Sequence, residues 1–189
     1  CAGAEYAYHA EIVSAPENMC VKVPLNVDLQ EAAFAALGAI AIHGVRNAEV
    51  SFGETVAVLG LGLLGLITVQ VLKAAGCRVI GVDIDERKVN LARELGADYA
   101  FNLKSLGSRI VDEILNITNE IGVDAVIITA ATKSNEPVNL AGRIARDRAK
   151  VVIVGDVGTK FDRETYYRKE LQLVVSRSYG PGRYDPIYE

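Results

Sequence analysis

Thr55-Val56-Ala57-Val58-Leu59-Gly60-Leu61-Gly62-Leu63-Leu64-Gly65 is the stretch that decides the fold. Thr55 to Leu59 is a β-branched, apolar run of the kind that a parallel sheet buries on both faces, and it stops where the glycines begin. Leu64 to Ala75 is apolar on nearly every side except at Thr68, Gln70 and Lys73, which predicts a helix lying against that sheet. Gly-x-Gly-x-x-Gly between a strand and a helix is the context that a dinucleotide site requires. Gly60 would allow the tight turn, and Gly62 would let the backbone approach a pyrophosphate without a Cβ in the way. Gly65 would let the helix pack close to the strand, and Leu63 and Leu64 sit where free helix N–H groups face the anion.

Gly76 is a good helix C-cap, and Cys77 to Val82 reads as a second strand that ends in Asp83. Asp83 stands close to the spacing at which an acidic residue meets the hydroxyls of the adenosine ribose. It could equally cap the helix that begins near Asp85, a role Asp85 could fill itself. A carboxylate there favours NAD over NADP, whose 2′-phosphate would meet like charge. Arg87 and Lys88 are the nearest cations, and Lys88 is counted among the cofactor contacts.

Farther along, strand and helix alternate about every dozen residues. Asp85 to Leu95 has the apolar spacing of an amphipathic helix, Tyr99 to Asn102 is a short strand, and Ser105 to Asn119 is the next helix. Asp124 to Thr129 and Lys150 to Val154 read as buried strands with the helix Glu136 to Arg146 between them, and Leu171 to Ser176 supplies a sixth strand. Right-handed crossovers with a switch point at the glycine loop predict an α/β Rossmann fold, a doubly wound parallel sheet of order 3-2-1-4-5-6. Ligands of such sheets bind at the carboxyl ends of the strands, which adds Thr129, Ala130, Val154 and Gly155 to the candidate contacts. Outside the sheet, Tyr8 to Val13 and Cys20 to Val23 read as strands, followed by a helix from about Asp28 to Asn47.

Hydrophobic residues make up 50% of the chain and charged ones 23%, with a net charge of -4, so no basic stripe invites nucleic acid. The longest apolar runs have strand length or are broken by polar residues. The reading therefore expects a cytoplasmic protein with no membrane span and no signal peptide. Cys1, Cys20 and Cys77 are odd in number and far apart, which argues against a disulfide framework and against a Cys-x-x-Cys zinc site. The chain begins with Cys and stops in the polar Tyr184 to Glu189, as expected of a fragment.

Further stretches carry a family resemblance: His9-Ala10-Glu11-Ile12-Val13, Glu31-Ala32-Ala33 leading to Ile42-His43-Gly44-Val45, the glycine loop, Asp83, and Arg93-Glu94-Leu95-Gly96-Ala97-Asp98. Over almost its whole length the chain resembles the medium-chain dehydrogenase/reductases, among them the zinc-containing alcohol, sorbitol and threonine dehydrogenases. The resemblance implies a two-domain oxidoreductase that moves a hydride between a nicotinamide and an alcohol or carbonyl substrate, often as a homo-oligomer. Residues 1–30 would be the edge of a GroES-like catalytic domain, 31–176 the NAD(P)-binding domain, and 177–189 a segment returning toward the next domain. It also implies that the loops holding Thr129 and Gly155 flank the adenosine and the nicotinamide, with Gly155 near the carboxamide.

Where the family places a catalytic zinc ligand this chain has Ala36, and Ala32 to Ile42 offers none, so the reading is against zinc. His43 is the candidate for proton chemistry, able to reach a ribose hydroxyl or the substrate; a partly buried helix histidine is the alternative. His9 reads as a plain strand residue. The ending Ser176-Arg177-Ser178-Tyr179-Gly180-Pro181-Gly182-Arg183-Tyr184 is similar to the junction in bi-domain oxidoreductases of bacterial polysaccharide clusters, which would imply a sugar or sugar-nucleotide substrate. Two other classes compete. One is a dinucleotide-binding or sensory module without turnover; the other is an S-adenosylmethionine methyltransferase, which usually wants an acid where Val58 and Leu59 stand.

Overall fold

The apolar runs become six parallel strands of one sheet in the computed structural model, which describes residues 10–185 and residue 187. The strands are β1 (Thr55–Leu59), β2 (Arg78–Asp83), β3 (Tyr99–Asn102), β4 (Val123–Ile128), β5 (Ala145–Ile153) and β6 (Gln172–Val175). Their order is β3-β2-β1-β4-β5-β6, as the alternation of elements predicts. The helices are α1 (Leu29–Ala32), α2 (Ala35–Ala48), α3 (Leu63–Ala74), α4 (Glu86–Glu94), α5 (Leu103–Leu106), α6 (Arg109–Ile117), α7 (Glu136–Ile144) and α8 (Arg163–Arg168). Short 3-10 turns stand at Glu17–Met19 and Pro181–Arg183.

Because strand side chains alternate between faces, the sheet builds two cores. Ala57 and Leu59 of β1, with Ile80 and Val82 of β2, face Ile110 and Ile114 of α6 and Val138 and Ile144 of α7. Val56 and Val58 face the other way, onto Val45 of α2, Val69 and Leu72 of α3, and Val89 and Ala92 of α4. All five β1 side chains are buried, which explains why this strand reads as a continuous apolar run. Helices therefore change face between β1 and β4, and that reversal opens a crevice above the carboxyl ends of the two strands.

The structure corrects four expectations. Ala10 to Val13 and Cys20 to Val23 form no strand; among the described residues no strand lies beside them to complete a ladder, and Tyr8 and His9 lie outside the described residues. The helix expected from Asp28 to Asn47 breaks at Ala33 and Phe34 into α1, capped by the Asp28 carboxylate on the Gln30 N–H, and α2. The helix expected from Ser105 to Asn119 breaks at Gly107, whose φ of +56° lies outside helical geometry, giving α5 and α6. Finally, α7 stops at Ile144 and β5 begins at Ala145, where Lys169 Nζ donates to the carbonyls of Gly142, Arg143 and Ala145 at 3.0, 2.9 and 2.7 Å. That lysine takes the place of a C-cap glycine in satisfying the last carbonyls of the helix.

Candidate functional site

At the switch point lies a cleft of ≈ 450 Å³ whose floor includes Gly60, Gly62, Asp83, Lys88, Thr129 and Ala130. Six of the residues singled out in the sequence thus meet in one place, although they come from the ends of three different strands and the helix after one of them. Apolar residues that the sequence reading missed form the walls: Ile84, Leu103, Pro137 and Leu140, with Thr132, Ser134 and Glu136 at the rim. Their signal was positional, since each follows the carboxyl end of β2, β3 or β4.

The three loop glycines have different reasons to be glycine. A Cβ on Gly60, where φ is +99°, would stand 2.6 Å from the Ala130 nitrogen. A Cβ on Gly65 would stand 1.9 Å from the Gly60 carbonyl oxygen, so this glycine lets α3 close on the turn. A Cβ on Gly62 would meet nothing within 4 Å, and its φ of -70° and ψ of -173° suit any residue. Nothing in the protein demands a glycine there; the open space belongs to the cleft. Gly62 is also the N-cap of α3 and carries no capping side chain, so the first N–H groups of the helix are left for an acceptor in the cleft.

Asp83 is buried, and its carboxylate accepts three backbone N–H groups: Leu61 at 2.6 Å on Oδ2, and Ile84 at 2.7 Å and Asp85 at 2.9 Å on Oδ1. Two carboxylate oxygens offer about four acceptor positions, so room is left for one further donor. The helix cap offered as the alternative role for Asp83 falls to Asp85; Asp83 holds the turn before α4 and lines the cleft. Asp85 caps α4 by accepting from the Arg87 N–H at 3.0 Å. The Arg87 guanidinium, hydrogen-bonded to Asp85 and turned to solvent, holds the Asp85 carboxyl below the usual carboxylate range. Lys88 is the cation that stays at the cleft, its Nζ 4.0 Å from Asp83 Oδ1.

Other candidates lie elsewhere. Gly155 is wedged against the β4 loop, where a Cβ would stand 2.1 Å from the Ala130 carbonyl oxygen, and Val154 packs over Gly44 of α2. Neither lines the cleft, and neither do Leu63, Leu64 and Gly65 at the start of α3. His43 lies beneath the C-terminal segment, where a Cβ on Gly180 would be 2.7 Å from its Nδ1, and its Nε2 is 3.2 Å from Asn47 Nδ2. Burial and the neighbouring Arg46 push its pKa below the ordinary value. Ala36 lines a second hollow of ≈ 230 Å³ together with Asn18, Cys20 and Tyr179. Among the described residues no three His, Cys, Asp or Glu side chains stand close enough together to hold a metal ion.

Comparison with known proteins adds an independent line. The family model described as zinc-binding dehydrogenase matches residues 64–189. A protein of Aspergillus fumigatus named a probable D-xylulose reductase A is 30% identical over 174 residues, covering 90% of this chain and 48% of the relative. Among solved structures, a zinc-binding dehydrogenase candidate from Sinorhizobium meliloti bound to NADP has a TM-score of 0.76 at 33% identity, covering 85% of this chain and 48% of that one. An Escherichia coli protein described as a short chain alcohol dehydrogenase, complexed with NADH, has a TM-score of 0.75 at 27% identity, covering 87% and 48%. The chain spans about half the length of these relatives.

Proposed function

This chain belongs to the zinc-binding dehydrogenase family of medium-chain dehydrogenases, and from that premise we propose that it is the cofactor-binding half of an NAD(P)-dependent oxidoreductase acting on an alcohol or carbonyl substrate. The observation that carries the reading is Gly62, a helix N-cap without a side chain that opens onto a cleft floored by Asp83. In this reading the pyrophosphate lies against the Gly60–Gly65 loop and the N–H groups of Leu63, Leu64 and Gly65, which need no cleft-facing side chain to serve it. Asp83 gives its remaining acceptor position to the ribose, and Ile84, Leu103, Pro137 and Leu140 enclose the adenine. The bound nicotinamide supplies the hydride chemistry; the residues of this chain hold and orient it.

Finer assignments belong to the same proposal. NAD is favoured over NADP because the Asp83 carboxyl group, buried and held by three backbone N–H groups, stands where a 2′-phosphate would lie, with Lys88 beside it as a cation. Gly155 and Val154 support the nicotinamide end by positioning the β4 and β5 loops, and His43 acts on packing rather than on protons. Residues 1–30 and 177–189 are assigned to the neighbouring catalytic unit, a division supported by the hydrogen bond from Asn18 Nδ2 to the Gly182 carbonyl at 2.8 Å, which ties the two segments to each other. A polyol, a sugar or a sugar nucleotide is the substrate class we infer, from the resemblance of the C-terminal segment and the name of the xylulose reductase relative. The absence of a zinc ligand at Ala36, a homo-oligomeric state and a cytoplasmic location are also part of this reading; among the described residues no helix is long and apolar enough to cross a membrane.

Calorimetric titration with NADH and NADPH in parallel tests it. Tighter binding of NADH is the expected result; tighter binding of NADPH overturns the role given to Asp83. A folded protein that binds neither overturns the function.

A further inference from the structure

The polar atoms at the two ends of one peptide bond in the glycine loop are each held by a side chain from a different strand end. The carbonyl of Gly60 accepts from Thr129 Oγ1 at 2.5 Å, at the end of β4. The N–H of the next residue, Leu61, donates to Asp83 Oδ2 at 2.6 Å, at the end of β2. These are the oxygen and the hydrogen of the same peptide plane, gripped from the two strands that flank β1. Gly60 has a φ of +99° and no Cβ, so its chain is free to swing unless something holds it. Close packing backs the grip: a Cβ on Gly65 would be 1.9 Å from the Gly60 oxygen and 2.9 Å from Thr129 Oγ1.

We propose that Thr129 is a positioning residue for the anion loop, its hydroxyl locking the Gly60–Leu61 peptide plane so that the loop is already set for a pyrophosphate before the cofactor arrives. The inference rests on the dinucleotide reading above and refines it. Thr129 lines the cleft, yet its hydroxyl proton turns to the Gly60 carbonyl, with that of Leu59 farther off at 3.4 Å, so it acts through the loop and not by donating to the ligand. Were the plane to turn over, the Gly60 carbonyl oxygen would come round toward the place of the anion and the Leu61 N–H would leave Asp83. The first change opposes binding by repelling the phosphates, and the second disfavours the flipped loop itself by leaving a buried carboxyl group short of a donor. A loop held in its bound shape loses less conformational freedom when ligand binds, which is where the gain in affinity arises.

The test compares wild type, Thr129→Val, which keeps the shape and removes the hydroxyl, and Thr129→Ser, which keeps the hydroxyl. Three quantities are measured: affinity for NADH, affinity for adenosine, which has no phosphate, and the melting temperature without ligand. The expected result is NADH binding about tenfold weaker in Thr129→Val, with adenosine binding weakened several-fold less than NADH and NADH binding to the serine variant within about twofold of wild type. A purely structural role would instead lower the melting temperature and weaken both ligands equally, and that pattern overturns the proposal. Unchanged NADH affinity in Thr129→Val overturns it while leaving the dinucleotide reading standing; wild type that binds neither NADH nor NADPH removes both. Amide hydrogen exchange in unliganded wild type checks the same point without a variant that might unfold: the Leu61 amide is expected to exchange as slowly as those of β1, and exchange as fast as a free loop amide overturns the lock.

Discussion

Gly62→Val separates what the fold requires from what the ligand requires. The added Cβ meets no protein atom within 4 Å, and φ of -70° with ψ of -173° is open to a β-branched residue. Two small terms then act on folding: valine is a poorer N-cap than glycine, by up to about 1 kcal/mol, and it restricts the unfolded chain, a gain of about 0.4–1 kcal/mol. They nearly cancel, so the melting temperature should move by only a few degrees. In the cleft the same side chain projects where, in the proposed reading, the pyrophosphate approaches the N–H groups of α3. Hydrogen bonds to a charged group are worth about 1.5–3 kcal/mol each, so losing even two weakens binding by more than about a hundredfold. Thermal melting and titration with NADH on the same preparation measure both effects. Gly65→Ala is the contrasting control: its Cβ would stand 1.9 Å from a backbone oxygen, and it should fold poorly or not at all. A folded Gly62→Val protein that binds NADH with wild-type affinity would refute the placement of the pyrophosphate on this loop.

Asp83→Asn keeps one acceptor oxygen but sets an amide N–H against one of the backbone donors that Asp83 now satisfies, so it should lose about 1–3 kcal/mol of stability and narrow the gap between NADH and NADPH. Melting curves and paired titrations read the two effects, and an unchanged NADH to NADPH ratio would count against the ribose assignment. His43 has a folded pKa below its ordinary 6.5, from burial first and Arg46 second, so the folded state takes up a proton less readily than the unfolded one. The stability this group contributes is therefore complete above pH 6.5 and lost as pH falls through the lowered folded value. Melting temperature followed across that window should fall more steeply in wild type than in His43→Gln, and parallel curves would contradict it. Lys169→Met keeps the apolar stem but abandons three carbonyls at the end of α7, with an expected loss of about 1–3 kcal/mol by chemical denaturation; a change within error would show that water replaces the ammonium there.

β1, buried along its whole length, is the clearest case of an element legible in advance. β1 and β3 have the ends read from the sequence, and Asp85 caps α4 as its residue type suggests. Six candidate contacts converge on the cleft because the rule that places ligands at the carboxyl ends of parallel strands is a property of the topology. The rest depended on partners that sequence cannot see. Ala10 to Val13 has the alternation of a strand but, among the described residues, no strand beside it, and α8 escaped notice because six residues show too little periodicity, although Asp162 caps it on Glu164 and Thr165. Val154 and Gly155 stand at a strand end as the rule demands, yet packing against Gly44 and Ala130 draws them away from the cleft.

By itself, then, the sequence determined the order of elements, the sheet they form and the glycine loop at its switch point, because those follow from local periodicity, chirality and the steric freedom of single residues. Only the tertiary structure decided how the loop is held and which candidates meet. Thr129 and Asp83 are distant in sequence from the peptide plane they grip, and His43 is turned beneath Gly180 by a contact across most of the chain. Hydrogen bonds of a few ångströms between residues remote along the chain leave no periodic trace in the sequence, and they come into being only when the strands that carry them lie side by side.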